Sequence, residues 1–89
     1  MNNKELRQII IEFANENNLR VDDCVPISKE DLKIGKLYKG SCRNASYAEW
    51  NGVKFLYERY KFGNSYIESI NHYEDDDGYD VFIPFMEIT

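Results

Sequence analysis

The sequence predicts an α+β domain: an N-terminal amphipathic helix plus a four- to five-stranded antiparallel meander, either covered by that helix or curled into an SH3-like half-barrel. Three observations carry this expectation. Leu6, Ile9, Ile10 and Phe13 fall at the i, i+3, i+4, i+7 spacing of one helix stripe. Short runs of alternating apolar and polar residues follow, divided by Asn51-Gly52, by Phe62-Gly63-Asn64 and by an acidic stretch ending in Gly78. The loops implied between these runs are short, so consecutive strands should pair with one another.

The helix is expected over residues 3–18, with Asn2 or Asn3 as N-cap; Asn15, Asn17 and Asn18 weaken helix propensity and place its end at Asn17 or Asn18. The 89 residues then divide into a helical part at 1–19, a connection at 20–34 and a sheet at 35–89, all within one domain. Pro26 excludes regular structure in the connection, Ser28 to Asp31 reads as a capping-box opening to a single helical turn, and Leu32 and Ile34 would anchor it. Gly35 releases the chain into a strand from Lys36 to Cys42, with Gly40 allowing a bend or bulge. Between Cys42 and Asn44 there is either a tight turn or the middle of one bent strand running from Leu37 to Trp50.

Asn-Gly readily takes the two positive φ angles of a type I′ turn, so Asn51-Gly52 is the strongest hairpin signal in the chain. A two-residue loop there pairs Trp50 with Val53, Ala48 with Phe55, Ser46 with Tyr57 and Asn44 with Arg59. Trp50, Val53, Ala48, Phe55 and Tyr57 then share a core face, which continues away from the turn into Asn44, Arg59, Cys42 and Lys61. A further strand is expected from Tyr66 to His72, and a last and most hydrophobic one from Tyr79 to Ile88. In that last strand Val81, Ile83 and Phe85 share one face, Phe82, Met86 and Ile88 the other, and Pro84 argues for an edge or a bulge.

Composition narrows the function classes. The net charge of −5 disfavours general nucleic-acid binding, but it sums −3 over residues 1–32, +5 over 33–61 and −7 over 62–89. Basic and acidic strands can neutralise one another as neighbours, or the basic region can meet an anion. Apolar runs such as Ile9 to Ile11 are too short to span a membrane, and no signal-peptide pattern opens the chain, so a cytoplasmic protein is expected. Cys24 and Cys42 have no metal-ligand spacing and read as free thiols.

Two constellations stand out as candidate sites. Arg43, Asn44, Arg59, Lys61 and His72 could recognise a phosphate or carboxylate, with Tyr57 as a stacking surface, although the placement of Arg43 and His72 does not follow from strand geometry. The acidic run Glu74, Asp75, Asp76 and Asp77 could attract a basic partner surface. It departs from the calcium-loop pattern and reads as a solvated turn, and no metal or cofactor motif is present. His72 is the only histidine, so a small phosphodiester hydrolase or nuclease would have to be built on it with Arg59 and Lys61. A structural protein that forms a homo-oligomer through an edge strand or the helix is a third class.

The order Gly35-x-x-Tyr38-x-Gly40-x-Cys42-Arg43-Asn44-Ala45, Ala48-x-Trp50, Arg59-x-Lys61-Phe62-Gly63 and Ile70-Asn71-His72-x-Glu74-Asp75-Asp76-Asp77-Gly78-Tyr79-Asp80-Val81-Phe82-Ile83-Pro84 resembles small uncharacterised proteins of tailed bacteriophages and prophages. The resemblance covers about residues 32–88 and brings no assigned activity. It implies a product acting in the host cytoplasm as a non-enzymatic binding module, which antagonises a host process by binding a host protein or by sequestering an anionic, nucleotide-like signal.

Overall fold

Asn2 caps the first helix, α1 (Asn3–Glu16), by accepting a hydrogen bond from the Glu5 amide at 2.8 Å. The helix ends where Asn18 turns to φ 55° and the Leu19 amide reaches back to the Ala14 carbonyl at 2.9 Å, closing the last turn as a Schellman cap. The computed structural model describes residues 2–76, 78 and 80–88. After α1 come single 3-10 turns at Val21–Asp23 and Lys29–Asp31. Five strands follow: β1 (Leu37–Ser41), β2 (Tyr47–Trp50), β3 (Phe55–Lys61), β4 (Asn64–His72) and β5 (Val81–Ile88).

Neighbouring strands pair antiparallel from β1 to β4; β5 pairs antiparallel with β1 and, over Asn71–Val81 and His72–Phe82, parallel with β4. The sheet therefore curls into a ring, and it is mixed where a purely antiparallel meander was expected. In the ring β5 lies between β4 and β1, running in the same sense as β4 and opposite to β1. Leu37 to Trp50 is two strands with an irregular loop between them, which settles the alternative left open by the sequence.

Alternation on β5 produces two cores. Phe82 points into the ring and packs with Tyr38, Ala48, Trp50, Phe55, Tyr57 and Ile70. Val81, Ile83 and Phe85 point outward and meet Phe13, Ala14 and Cys24, with Leu6, Ile9 and Ile10 of the helix stripe packed against them. Phe13 and Phe85 stack at 4.2 Å between centroids, while Phe55 and Phe82 meet at 4.5 Å inside. Pro84 sits at the expected bulge: β1 pairs Lys39 with Met86 but Gly40 with Pro84, leaving Phe85 as the extra residue.

The central hairpin departs from its expected register. The Asn51 amide bonds the Lys54 carbonyl at 3.0 Å, so Gly52 and Val53 are the two turn residues and the ladder pairs Glu49 with Leu56 and Trp50 with Phe55. The cause is the Asn51 side chain, whose Oδ1 accepts from both the Val53 and Lys54 amides at 2.8 and 2.7 Å. A slip of two residues preserves the faces, so Ala48, Trp50, Phe55 and Tyr57 are buried as expected. Val53, however, lies in the turn and is 67% exposed rather than in the core, and Asn44 no longer pairs with Arg59. The pair of positive φ angles appears instead at Phe62 (52°) and Gly63 (80°), between Lys61 and Asn64. Leu32 anchors the second 3-10 turn against the inner core, whereas Ile34 is exposed.

β1 crosses β5 at Gly40 with no room for a side chain: a Cβ there would meet the Ile83 carbonyl oxygen and lie 2.9 Å from its carbonyl carbon and from Phe82 Cε1. Gly40→Ala should therefore lower stability by about 1–3 kcal/mol, because the obstruction is backbone and the strand must move. Urea denaturation reads this out, and an unchanged midpoint would contradict the close packing.

Candidate functional site

At one end of the ring the strands separate. The β2–β3 ladder stops at Glu49 and Leu56, and β5 touches β4 only at Asn71 and His72, so β3 and β4 continue as a two-stranded arm to Lys61 and Asn64. The arm carries exposed Tyr60, Phe62, Tyr66 and Ile67, and Phe62 at its tip is 92% exposed. A phenylalanine at positive φ costs on the order of 1 kcal/mol.

The mouth between the arm and the β1–β2 loop is a cleft of about 590 Å³ lined by Arg43, Asn44, Tyr57, Glu68, Ser69, Ile70, Asn71, Asp76 and Asp80. Its centre is Glu68. The β3–β4 register sets Tyr57 opposite Glu68, and Oε2 of that carboxylate accepts from the Tyr57 hydroxyl at 2.7 Å and from Arg59 at 3.1 Å. These two hydrogen bonds hold the Glu68 carboxyl below its ordinary range. Burial, together with the carboxylate it donates to, pushes Tyr57 up to about 12, against an opposing pull from the Asn44 side chain. Asp76 is held low by the Gly78 amide at 2.8 Å and by the Asn71 side chain at 3.2 Å.

The structure thus gathers four of the residues singled out in the sequence, Arg43, Asn44, Tyr57 and Arg59, and separates the other two. Lys61 lies at the arm tip with its ammonium 5.7 Å from the Phe62 ring centre. His72 is fully buried beneath the inner core, where Nε2 meets the Ile27 carbonyl at 3.0 Å and Nδ1 accepts the Glu74 amide at 3.1 Å. Since Nδ1 accepts, the proton is on Nε2 and the ring is neutral, with both nitrogens engaged. The Glu74 carboxylate lies 3.6 Å from Nδ1, but the amide already occupies that nitrogen. Cys42 donates to the Ala45 carbonyl at 3.3 Å and burial raises its thiol, which opposes a nucleophilic thiolate.

The acidic loop folds back on the chain's own donors. The Glu74 carboxylate accepts the Lys29 amide at 2.7 Å and Asp75 pairs with the Lys29 ammonium at 3.0 Å, while Asp77 lies outside the described residues. The basic middle and acidic final segments do neutralise one another, through Arg59 with Glu68 and Lys33 with Glu87. Among the described residues no three histidine, cysteine or acidic side chains converge as a metal-ligand set, and no helix is long and apolar enough to cross a membrane. Glu68 and Asn71 were missed as site residues; the signal for Glu68 was the Phe62-Gly63 turn, which fixes the β3–β4 register. The chain matches no protein-family model, and comparisons with curated proteins and with solved structures give no match either.

Burial holds the His72 pKa below its ordinary 6.5, against the opposing pull of the Ile27 carbonyl and of Glu74 and Asp75. A group depressed in this way takes up protons more readily in the unfolded chain, so its contribution is intact above about pH 6.5 and declines as pH falls toward the folded-state value. Urea denaturation from pH 7.5 to 5 should show falling stability, with a shallower fall in His72→Gln. Parallel curves for the two proteins would reject the neutral buried ring.

Proposed function

We propose that this chain is a non-catalytic binding module whose mouth cleft engages a basic segment of a protein partner. The observation that supports this most is the charge of the cleft: Glu68, Asp76 and Asp80 line it with Arg43, and because Arg59 takes up Glu68, Asp76 and Asp80 are left against one guanidinium. Arg59, the cation best placed to meet an anion, is already paired with Glu68. The field in the cleft therefore favours lysine or arginine over a phosphate, which weighs against the nucleotide-sequestering version. The hydrolase version needs His72, Arg59 and Lys61 in one place, and they lie at the buried core, the cleft and the arm tip. Read with the resemblance to phage products, the partner is a host protein and the outcome is antagonism of its process.

Isothermal titration with a lysine-rich peptide tests this. Saturable binding that weakens with salt is expected, and Asp80→Asn should weaken it about two- to fivefold, as loss of one exposed ion pair implies. Binding of a cyclic or ADP-ribose-type nucleotide that Arg59→Ala abolishes would overturn the proposal.

A further inference from the structure

The mouth cleft is continuous with a second depression. Asn44 and Tyr57 line both, and the second, of about 640 Å³, lies where β2 and β3 part, walled by Leu37, Tyr47, Leu56 and Ile67 with Glu49 and Glu58 among them. Leu37, Tyr47 and Ile67 are 40, 47 and 64% exposed, with the Lys39 ammonium 5.8 Å from the Tyr47 ring centre, so much of this apolar floor is open to solvent. The edge of β3 borders it. Asn51 and Lys54 form a hydrogen-bonded pair, so on β3 the even-numbered residues direct their amides and carbonyls toward β2 and the odd-numbered ones toward β4. Leu56 finds its partner in Glu49, but the ladder ends there, leaving Glu58 and Tyr60 without a paired strand residue on that side among the described residues.

The geometry points to this edge as a strand-addition site: an extended segment of a partner pairs with the backbone of β3 at Glu58 and Tyr60. Alternate side chains of such a segment point to opposite faces. Those on the convex face settle on Leu37, Tyr47, Leu56 and Ile67, and those on the other face look into the mouth toward Glu68, Asp76 and Asp80. Five carboxylates line the two depressions against Arg43, with Arg59 paired to Glu68 and the Lys39 ammonium beside Tyr47, so the balance stays acidic and the charge complement is basic. The recognised sequence therefore alternates apolar residues with lysine or arginine. This rests on the basic-partner reading above and adds to it the conformation and pattern of the segment.

Four capped peptides of equal length separate the two levels: one alternating valine and lysine, the same peptide N-methylated at alternate residues in each of the two registers, and an unpatterned lysine-rich control. The alternating peptide should bind more tightly than the control, and N-methylation in one register only should weaken it about tenfold, as loss of two or three net hydrogen bonds implies. If the control binds as well as the alternating peptide, or neither methylation register matters, strand addition is rejected while the basic-partner reading stands. If no lysine peptide binds, both fall. Sedimentation of the free protein completes the test: a dimer dispersed by the alternating peptide would make the occupant a second copy of this chain, and would overturn the proposal of a foreign segment.

Discussion

Burial of β5 on both faces is the constraint on which the rest of the molecule depends. Its residues Val81 to Phe85 have no solvent side: Phe82 closes the inside of the ring against Phe55, and Ile83 and Phe85 receive the helix. In a chain of this length neither core would be sufficient alone, since each holds only six or seven buried residues. One strand serving both lets them share a backbone. The requirement this imposes falls on Gly40, where β1 must approach β5 closely enough for Phe82 to reach the inner core.

The same arrangement explains where the free surface lies. Pairing is dense where β5 meets β1 and sparse where it meets β4, so the ring is tied on one side and slack on the other. The slack side releases the β3–β4 arm, whose Tyr60, Phe62, Tyr66 and Ile67 are exposed. His72 marks the border between the two regimes. Its ring bonds Ile27 of the connection and the Glu74 amide, fastening the start of the acidic loop to the segment beneath the core. Glu74 and Asp75 then satisfy Lys29, and Asp76 and Asp80 remain, beside the Arg59-paired Glu68, to line the mouth.

Much of the fold was legible in the sequence because its signals are periodic. The helix stripe, its asparagine caps, the faces of the last strand as far as Phe85 and the bulge at Pro84 all follow from spacing and backbone chemistry; past that bulge Met86 and Ile88, opposite Lys39 and Leu37, leave the face of Phe82 that alternation assigned them. Register was less legible, because it turned on one side chain: Asn51 could enter the turn or cap it, and its carbonyl oxygen capped it, sliding the hairpin by two residues. The Phe62-Gly63 turn was the better guide, since reading register from it brings Tyr57 to Glu68 and exposes the centre of the cleft. That reading was obscured because phenylalanine is an uncommon residue at positive φ. The fate of His72 was not legible, since its Nε2 bonds Ile27 in a connection without regular structure.

Amide hydrogen exchange of the free protein, resolved residue by residue, tests the central claim most directly. A ring held by β5 with an open β3 edge predicts slow exchange in β1 and β5, and an alternation along β3 in which Tyr57 and Arg59 are protected while Glu58 and Tyr60 exchange rapidly. Equal protection of Glu58 and Tyr60 with their neighbours would mean that β2 or another element covers that edge, and would contradict the account.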